Sequence, residues 1–128
     1  MRWISEEAVL VIHSRQIAEH GGDDGIRDRG LLASALARPR NREAYSEDSD
    51  IPALAAAYAF GIAKNHPFID GNKRTALVVM RTFLLLNGLD LNASQEEKYF
   101  TFMALADGSL SENDLAEWIR KRVLSCET

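Results

Sequence analysis

Apolar residues recur at helical spacing along most of the chain. In "ISEEAVLVIHSRQIAEHGG", Val9, Ile12, Ile17 and Ala18 follow that spacing behind Ser5, a residue type suited to a helix N-cap. Gly21-Gly22 supply the stop, which predicts a helix from about residue 5 to 20. "DDGIRDRGLLASALARPR" turns through Gly25 and offers Asp28 as the cap of a short helix ending before Pro39. The stretch from Arg38 to Asp50 is polar, contains proline, lacks periodicity and reads as a surface loop. Pro52 suits the first turn of a further helix, and the alanine-rich run to Lys64 permits close packing. Pro67 disfavours helical geometry at His66, so this helix ends near Asn65. A strongly apolar helix follows from about Asn72 to Leu86 and stops at Asn87-Gly88. "SQEE" from Ser94 and "SEND" from Ser111 resemble capping boxes, the second with Asp in place of Glu.

The pattern predicts an all-α fold of about six helices, with no alternating strand and no internal repeat. The two helices flanking residues 66–71 are apolar on most of their surface, so they are expected at the centre of the bundle. A loop between them is mounted on the most rigid part of the protein.

Composition narrows the class. A chain of 128 residues, 46% apolar and 27% charged, is expected to form one compact domain with its own core. The formal charge of -4 argues against a general nucleic-acid binder, and direct nucleic-acid contact is not expected. Cys126 is the only cysteine, which excludes a disulfide framework and a cysteine zinc site. The N-terminal stretch does not read as a signal peptide, and no apolar run is long enough to span a bilayer. A cytoplasmic location without membrane contact is the expectation.

Against this background "HPFIDGNKR", from His66 to Arg74, stands out as a polar cluster between two core segments. Lys73 and Arg74 fall in the first turn of a helix, where each cation is disfavoured by ~0.3–1 kcal/mol. A bound anion reverses that sign, because unpaired N–H groups from Gly71 to Arg74 and both cations would converge on it. Gly71 would let a ligand approach the backbone, and Asn72 either caps the helix or binds the same anion. Asp70 offers a carboxylate of the kind that magnesium uses together with phosphate oxygens. His66 suits proton transfer near neutrality. The set fits phosphoryl or nucleotidyl transfer; taken singly, the same residues also read as helix caps, turn residues and a solvated patch, with Phe68 as a core anchor. A catalytically silent anion- or partner-binding module is one alternative. A ribonuclease is another, disfavoured by the acidic balance.

"HPFIDGNKR" closely resembles the signature of the Fic/Doc (Fido) family, H-x-F-x-[D/E]-[G/A]-N-[G/K]-R. "GIRDRGLLASALARPR" and the overall spacing look like its Doc branch, the death-on-curing toxins of toxin-antitoxin modules. The resemblance implies a Fic/Doc-like fold, with His66 as general base and Asp70 as Mg²⁺ ligand. Asn72 and Arg74, with Gly71 and Lys73 beside them, would bind nucleotide phosphate, and Phe68 would anchor the loop. Members of the Fic branch transfer AMP from ATP to a protein hydroxyl, using a second glycine where Lys73 stands and a second arginine where Leu77 stands. In the Doc branch these departures accompany a reversed nucleotide. The resemblance therefore implies a kinase that moves the γ-phosphate of ATP to a threonine of a translation elongation factor. Pro67 and Gly71 resemble the Fic branch and keep adenylyl transfer open as the alternative.

No stretch matches the self-inhibitory pattern [S/T]-x-x-x-E-[G/N] of some Fic proteins, so control by a separate cognate antitoxin chain is implied. The N-terminal helix and residues 38–50 are the candidate docking segments. His13 and His20 share a helix face but lack a third ligand, and read as a poor zinc site. "RDR", Arg27 to Arg29, reads as Asp28 capping a helix between solvated arginines. Trp3 and Trp118 read as core or groove-lining aromatics.

Overall fold

The computed structural model describes residues 1–126, and five of its six helices begin where a short polar side chain accepts a free backbone amide. Ser5 caps α1 (Glu6–His20), Asp28 caps α2 (Arg29–Tyr45) and Asp50 caps α3 (Ile51–Asn65). Ser94 caps α5 (Gln95–Asp107) through a complete capping box with Glu97, and Ser111 caps α6 (Glu112–Arg120). The exception is α4 (Asn72–Leu86), whose N-cap is Gly71 and which has no side-chain cap.

The centre of the bundle is α3. Eleven of its fifteen residues are buried, so it has no solvent face of useful width, and α2, α4 and α6 pack around it. Its alanines hold the neighbours close. Tyr58 is buried at the middle, where its hydroxyl accepts the Ile4 N–H at 3.1 Å, and burial pushes its phenol above the usual range. On α4 the buried face comprises Thr75, Ala76, Val79, Met80, Phe83 and Leu84 behind Asn72. The expected central pair is therefore present, with the motif loop between them.

Two sequence expectations are corrected. The second helix does not stop before Pro39 but runs through it to Tyr45, so only residues 46–50 remain of the loop expected over 38–50. Pro39 lacks an N–H and leaves the Ala35 carbonyl without its helical partner. That carbonyl lies where α2 closely approaches α3, since a Cβ built at Gly61 would sit 3.1 Å from Ala35 O. On either side of the proline, Arg38 and Arg42 both bind Glu112 in the first turn of α6, which tethers the helix across the break. Tertiary contacts thus outweigh the local break. The second correction is a small antiparallel sheet, β1 (Leu89–Leu91) paired with β2 (Val123–Ser125), where no strand was expected. Strands of three residues are too short to show alternation.

Asp50 joins the start of α3 to the end of α6, because its carboxylate also receives Arg120 Nε at 2.7 Å. The hydrogen bond from Arg120 holds the Asp50 carboxyl below the usual carboxylate range.

Two outcomes are expected. Gly61→Ala gains helix propensity but forces Cβ against the Ala35 backbone, so urea unfolding should show a net loss of about 1–2 kcal/mol. Asp50→Ala should cost ~1 kcal/mol at neutral pH through the lost cap alone. Because the folded carboxyl titrates below its unfolded value, the deficit is full above about pH 4 and shrinks as pH falls through the folded value. Melting curves across that range check the sign.

Candidate active site

The chain must cross from α3 to α4 in six residues, 66–71, and the crossing begins and ends in left-handed backbone. His66 caps α3 at φ 53° and ψ 53°, and Gly71 opens α4 at φ 77°. A left-handed histidine costs ~1–2 kcal/mol, so surrounding bonds must hold it. Its N–H still donates to Ile62 O at 3.1 Å, while Arg27 Nε donates to His66 O at 2.7 Å and Arg27 Nη2 to Asn65 O at 2.8 Å. A guanidinium thus satisfies the last carbonyls of α3, at the negative end of its dipole.

The rest of the loop docks on residues 25–28. Pro67 O accepts Arg27 N at 2.7 Å and Asp28 N at 3.1 Å, Ile69 N donates to Gly25 O at 3.0 Å, and Ile26 pairs with Phe68 as an isolated antiparallel bridge. Phe68 is fully buried, its ring stacked on His13 with centroids 3.8 Å apart and planes at 7°. His13 Nε2–H in turn donates to Asp70 O at 2.8 Å. From the other side Asn72 Oδ1 accepts Phe68 N at 3.0 Å, and Nδ2 donates to Phe68 O at 2.9 Å and to His66 Nδ1 at 3.1 Å.

These supports bring His66, Asp70, Gly71, Asn72, Lys73 and Arg74 to one cleft of about 320 Å³, with Phe68 beneath it. Asn72 differs from the cap that its position suggested. It is the first residue of α4, 4% exposed, and its amide is used up inside the loop, so it presents its backbone N–H rather than its side chain. Gly71 is needed by the turn and by α1, because a Cβ there would meet Ile17 Cδ1 at 3.2 Å.

Electrostatically the cleft is set for an anion. The first amides of α4 have no side-chain cap, and the first turn carries Lys73 and Arg74 with no acid. Lys73 Nζ rests on the Met103 thioether at 3.1 Å, a weak acceptor, and Arg74 Nη2 reaches Gly21 O at 3.5 Å. An oxyanion would satisfy both cations better and meet the helix dipole.

Asp70 is exposed, with Oδ2 accepting the Asp23 N–H at 2.9 Å. No cluster of three or more metal-ligating side chains exists among the described residues. One carboxylate suits magnesium that arrives with a polyphosphate and keeps its waters, since that ion commonly takes only one or two protein carboxylates.

In the neutral His66 ring, accepting the Asn72 bond at Nδ1 puts the proton on Nε2. Acting as a base at Nε2 therefore requires the ring to release Asn72.

Two contributors to the loop were not recognised as such in the sequence. His13, which with His20 reads as a poor metal site, occupies the buried face of α1 with Val9 and Ile17, whereas Ala18 is exposed. Spacing of four residues from both neighbours was the available signal. Arg27, expected to be solvated, is bonded to the end of α3. Trp3 and Trp118 do pack against the core, under Arg40 and Arg122 respectively.

With this geometry the comparisons agree. The model of the Fic/DOC family matches residues 3–84, which span α1 to most of α4 and include the whole loop. The chain belongs to the Fic/DOC family. It is 35% identical over 127 residues to the protein kinase Doc of Escherichia phage P1, covering 99% of this chain and 100% of that one. It is 46% identical over 76 residues to the toxin Doc of Mycolicibacterium smegmatis, 57% of each chain. The protein adenylyltransferase Fic of Drosophila persimilis is 36% identical over 100 residues, 75% of this chain but 18% of that protein.

Removing the Asn72 amide leaves the buried N–H and C=O of Phe68 unpaired. Asn72→Ala is expected to lower stability by about 1–3 kcal/mol in urea unfolding, against less than ~0.5 kcal/mol for an exposed substitution such as Glu7→Ala.

Proposed function

We propose that this protein is a Doc-like toxin, a kinase that transfers the γ-phosphate of Mg-ATP to a hydroxyl of a target protein. The observation that carries this reading is the uncapped, doubly cationic start of α4 beside His66 and Asp70. In this reading the backbone amides of residues 72–74, with Lys73 and Arg74, hold the phosphates and offset their charge. Magnesium, held by Asp70, would supply further charge neutralisation on the phosphates. His66, once released by Asn72, accepts the proton of the acceptor hydroxyl. The hydroxyl oxygen bonds to the γ-phosphorus, the bond from that phosphorus to the bridging oxygen breaks, and ADP leaves. Phe68, stacked on His13, keeps the loop from yielding when the ligand binds.

The reading extends to one domain working in the cytoplasm on a threonine of a translation elongation factor, held in check by a cognate antitoxin chain. The phage P1 relative supports kinase chemistry, and the mycobacterial relative supports the toxin role. For antitoxin docking, α1 is the better supported of the two candidate segments. It lines a shallow groove of about 440 Å³ through Leu10, Val11, Ser14, Arg15 and Ala18, whereas most of residues 38–50 is helix. No helix among the described residues is long and apolar enough to cross a membrane.

Adenylyl transfer is the second reading, favoured by the insect adenylyltransferase relatives and by Pro67 and Gly71 in the loop. Mass-resolved labelling separates the two. Incubation with ATP labelled at either the α- or the γ-phosphorus and candidate acceptors is expected to move the γ-label and add one phosphoryl mass. Transfer of the α-label with an adenylyl mass would replace the kinase reading. His66→Ala is expected to slow transfer by roughly 10²–10⁴-fold while leaving nucleotide affinity in place.

A further inference from the structure

Lys73 lines both the candidate cleft and a groove of about 220 Å³ between α4 and α5, where its Nζ lies 3.1 Å from Met103 Sδ. Among the described residues it forms no salt bridge. The groove carries Lys73, Arg74 and Lys98 in its lining and no carboxylate. We propose that Met103 is an oxidation site for peroxides, and that its sulfoxide draws Lys73 away from the candidate phosphate cleft. The effect on phosphate rests on the anion-binding reading above; the modification itself does not.

Exposure and neighbours single out this methionine. Met103 is 39% exposed, so a small oxidant reaches its sulfur, whereas Met80 is fully buried. Met1 is more exposed but lines neither the cleft nor the groove. With hydrogen peroxide, a sulfur lone pair attacks one peroxide oxygen, the O–O bond breaks and an S–O bond forms. Sulfur is oxidised by two electrons, and the other oxygen leaves with both peroxide protons as water. The product is methionine sulfoxide, which methionine sulfoxide reductases return to the thioether.

The product differs from the thioether in the one property that matters to Lys73. A thioether sulfur is a weak acceptor, whereas the sulfoxide adds a strongly polar oxygen one bond from the atom that Nζ already meets. A hydrogen bond from an ammonium to that oxygen is charge-assisted and correspondingly strong. With no carboxylate in the groove to compete for the lysine, the new oxygen and a phosphate in the cleft become rivals for the same donor. The first turn of α4 then holds an anion with Arg74 and its backbone amides but without Lys73. Met103 sits on α5 and Lys73 on α4, so the oxidised pair would also tie the two helices together across the groove.

The test uses the full chain carrying Cys126→Ser, which removes the exposed thiol as a second target, with and without Met103→Leu. Each protein is compared before and after dilute hydrogen peroxide. Peptide mass mapping should place the added oxygen on Met103 ahead of Met80. Acetylation of Lys73 by an amine-reactive ester, followed without any ligand, should then slow by about threefold or more, and affinity for Mg²⁺-tripolyphosphate in titration calorimetry should fall roughly 3- to 30-fold. Neither quantity should change on peroxide treatment of Met103→Leu, and methionine sulfoxide reductase should restore both. A Met103 that resists oxidation overturns the proposal, as does an oxidised Met103 that leaves Lys73 labelling or tripolyphosphate affinity unaltered. Equal losses in Met103→Leu overturn it too. Should the untreated chain bind no tripolyphosphate while Lys73 labelling still responds through Met103, the oxidation site and its hold on Lys73 stand and the anion-binding reading falls.

Discussion

A six-residue crossing that starts from a left-handed histidine cannot hold its own shape, and the site depends on the bonds that hold it from outside. Local sequence contributes Pro67, which bars α3 from continuing, and Gly71, which opens α4. Everything else comes from elsewhere: Arg27 on the final carbonyls of α3, the amides of residues 27 and 28 on Pro67 O, and His13 under Phe68 and Asp70. The buried pair α3 and α4 fixes the two ends, and the segment after α1 fixes the middle. Strain of this size is tolerable only because the alternative conformations would break several buried hydrogen bonds at once.

The same logic explains why α4 begins differently from its neighbours. Elsewhere a serine or aspartate satisfies the first amides, and α1, α5 and α6 add acids in the first turn. At α4 both devices are missing and cations stand in their place. Such a helix start is slightly unfavourable by itself, and the buried face of α4 supplies far more than enough stability to carry it. What the local structure lacks in satisfaction it offers as binding capacity, in the cleft that Asp70 and His66 both line.

Much of this was legible in the sequence because the signals were local. Ser5, Asp28, Ser94 and Ser111 mark helix starts, Pro67 marks an end, and the motif places its polar residues between two apolar helices. What was hidden depended on partners distant in sequence. Pro39 reads as a stop until Gly61 and Glu112 are known to lie against α2, and Leu89–Leu91 shows no strand pattern until it meets Val123–Ser125. Asn72 looked like a cap or a ligand because its reach back to Phe68 requires the left-handed turn to exist first. His13 and Arg27 were present as residues but not as supports, since their partners lie 57 and 39 residues away.

The direction of those long contacts has its own consequence. Every support that the loop takes from outside α3 and α4 lies between residues 13 and 28, ahead of it in the chain. During synthesis the residues that will clamp the loop are therefore made before the loop itself. The groove between α4 and α5 is the opposite, since the half of its wall on α5 is made after the loop. The side chains that shape the loop and those that wall the groove beside it are thus drawn from opposite ends of the chain.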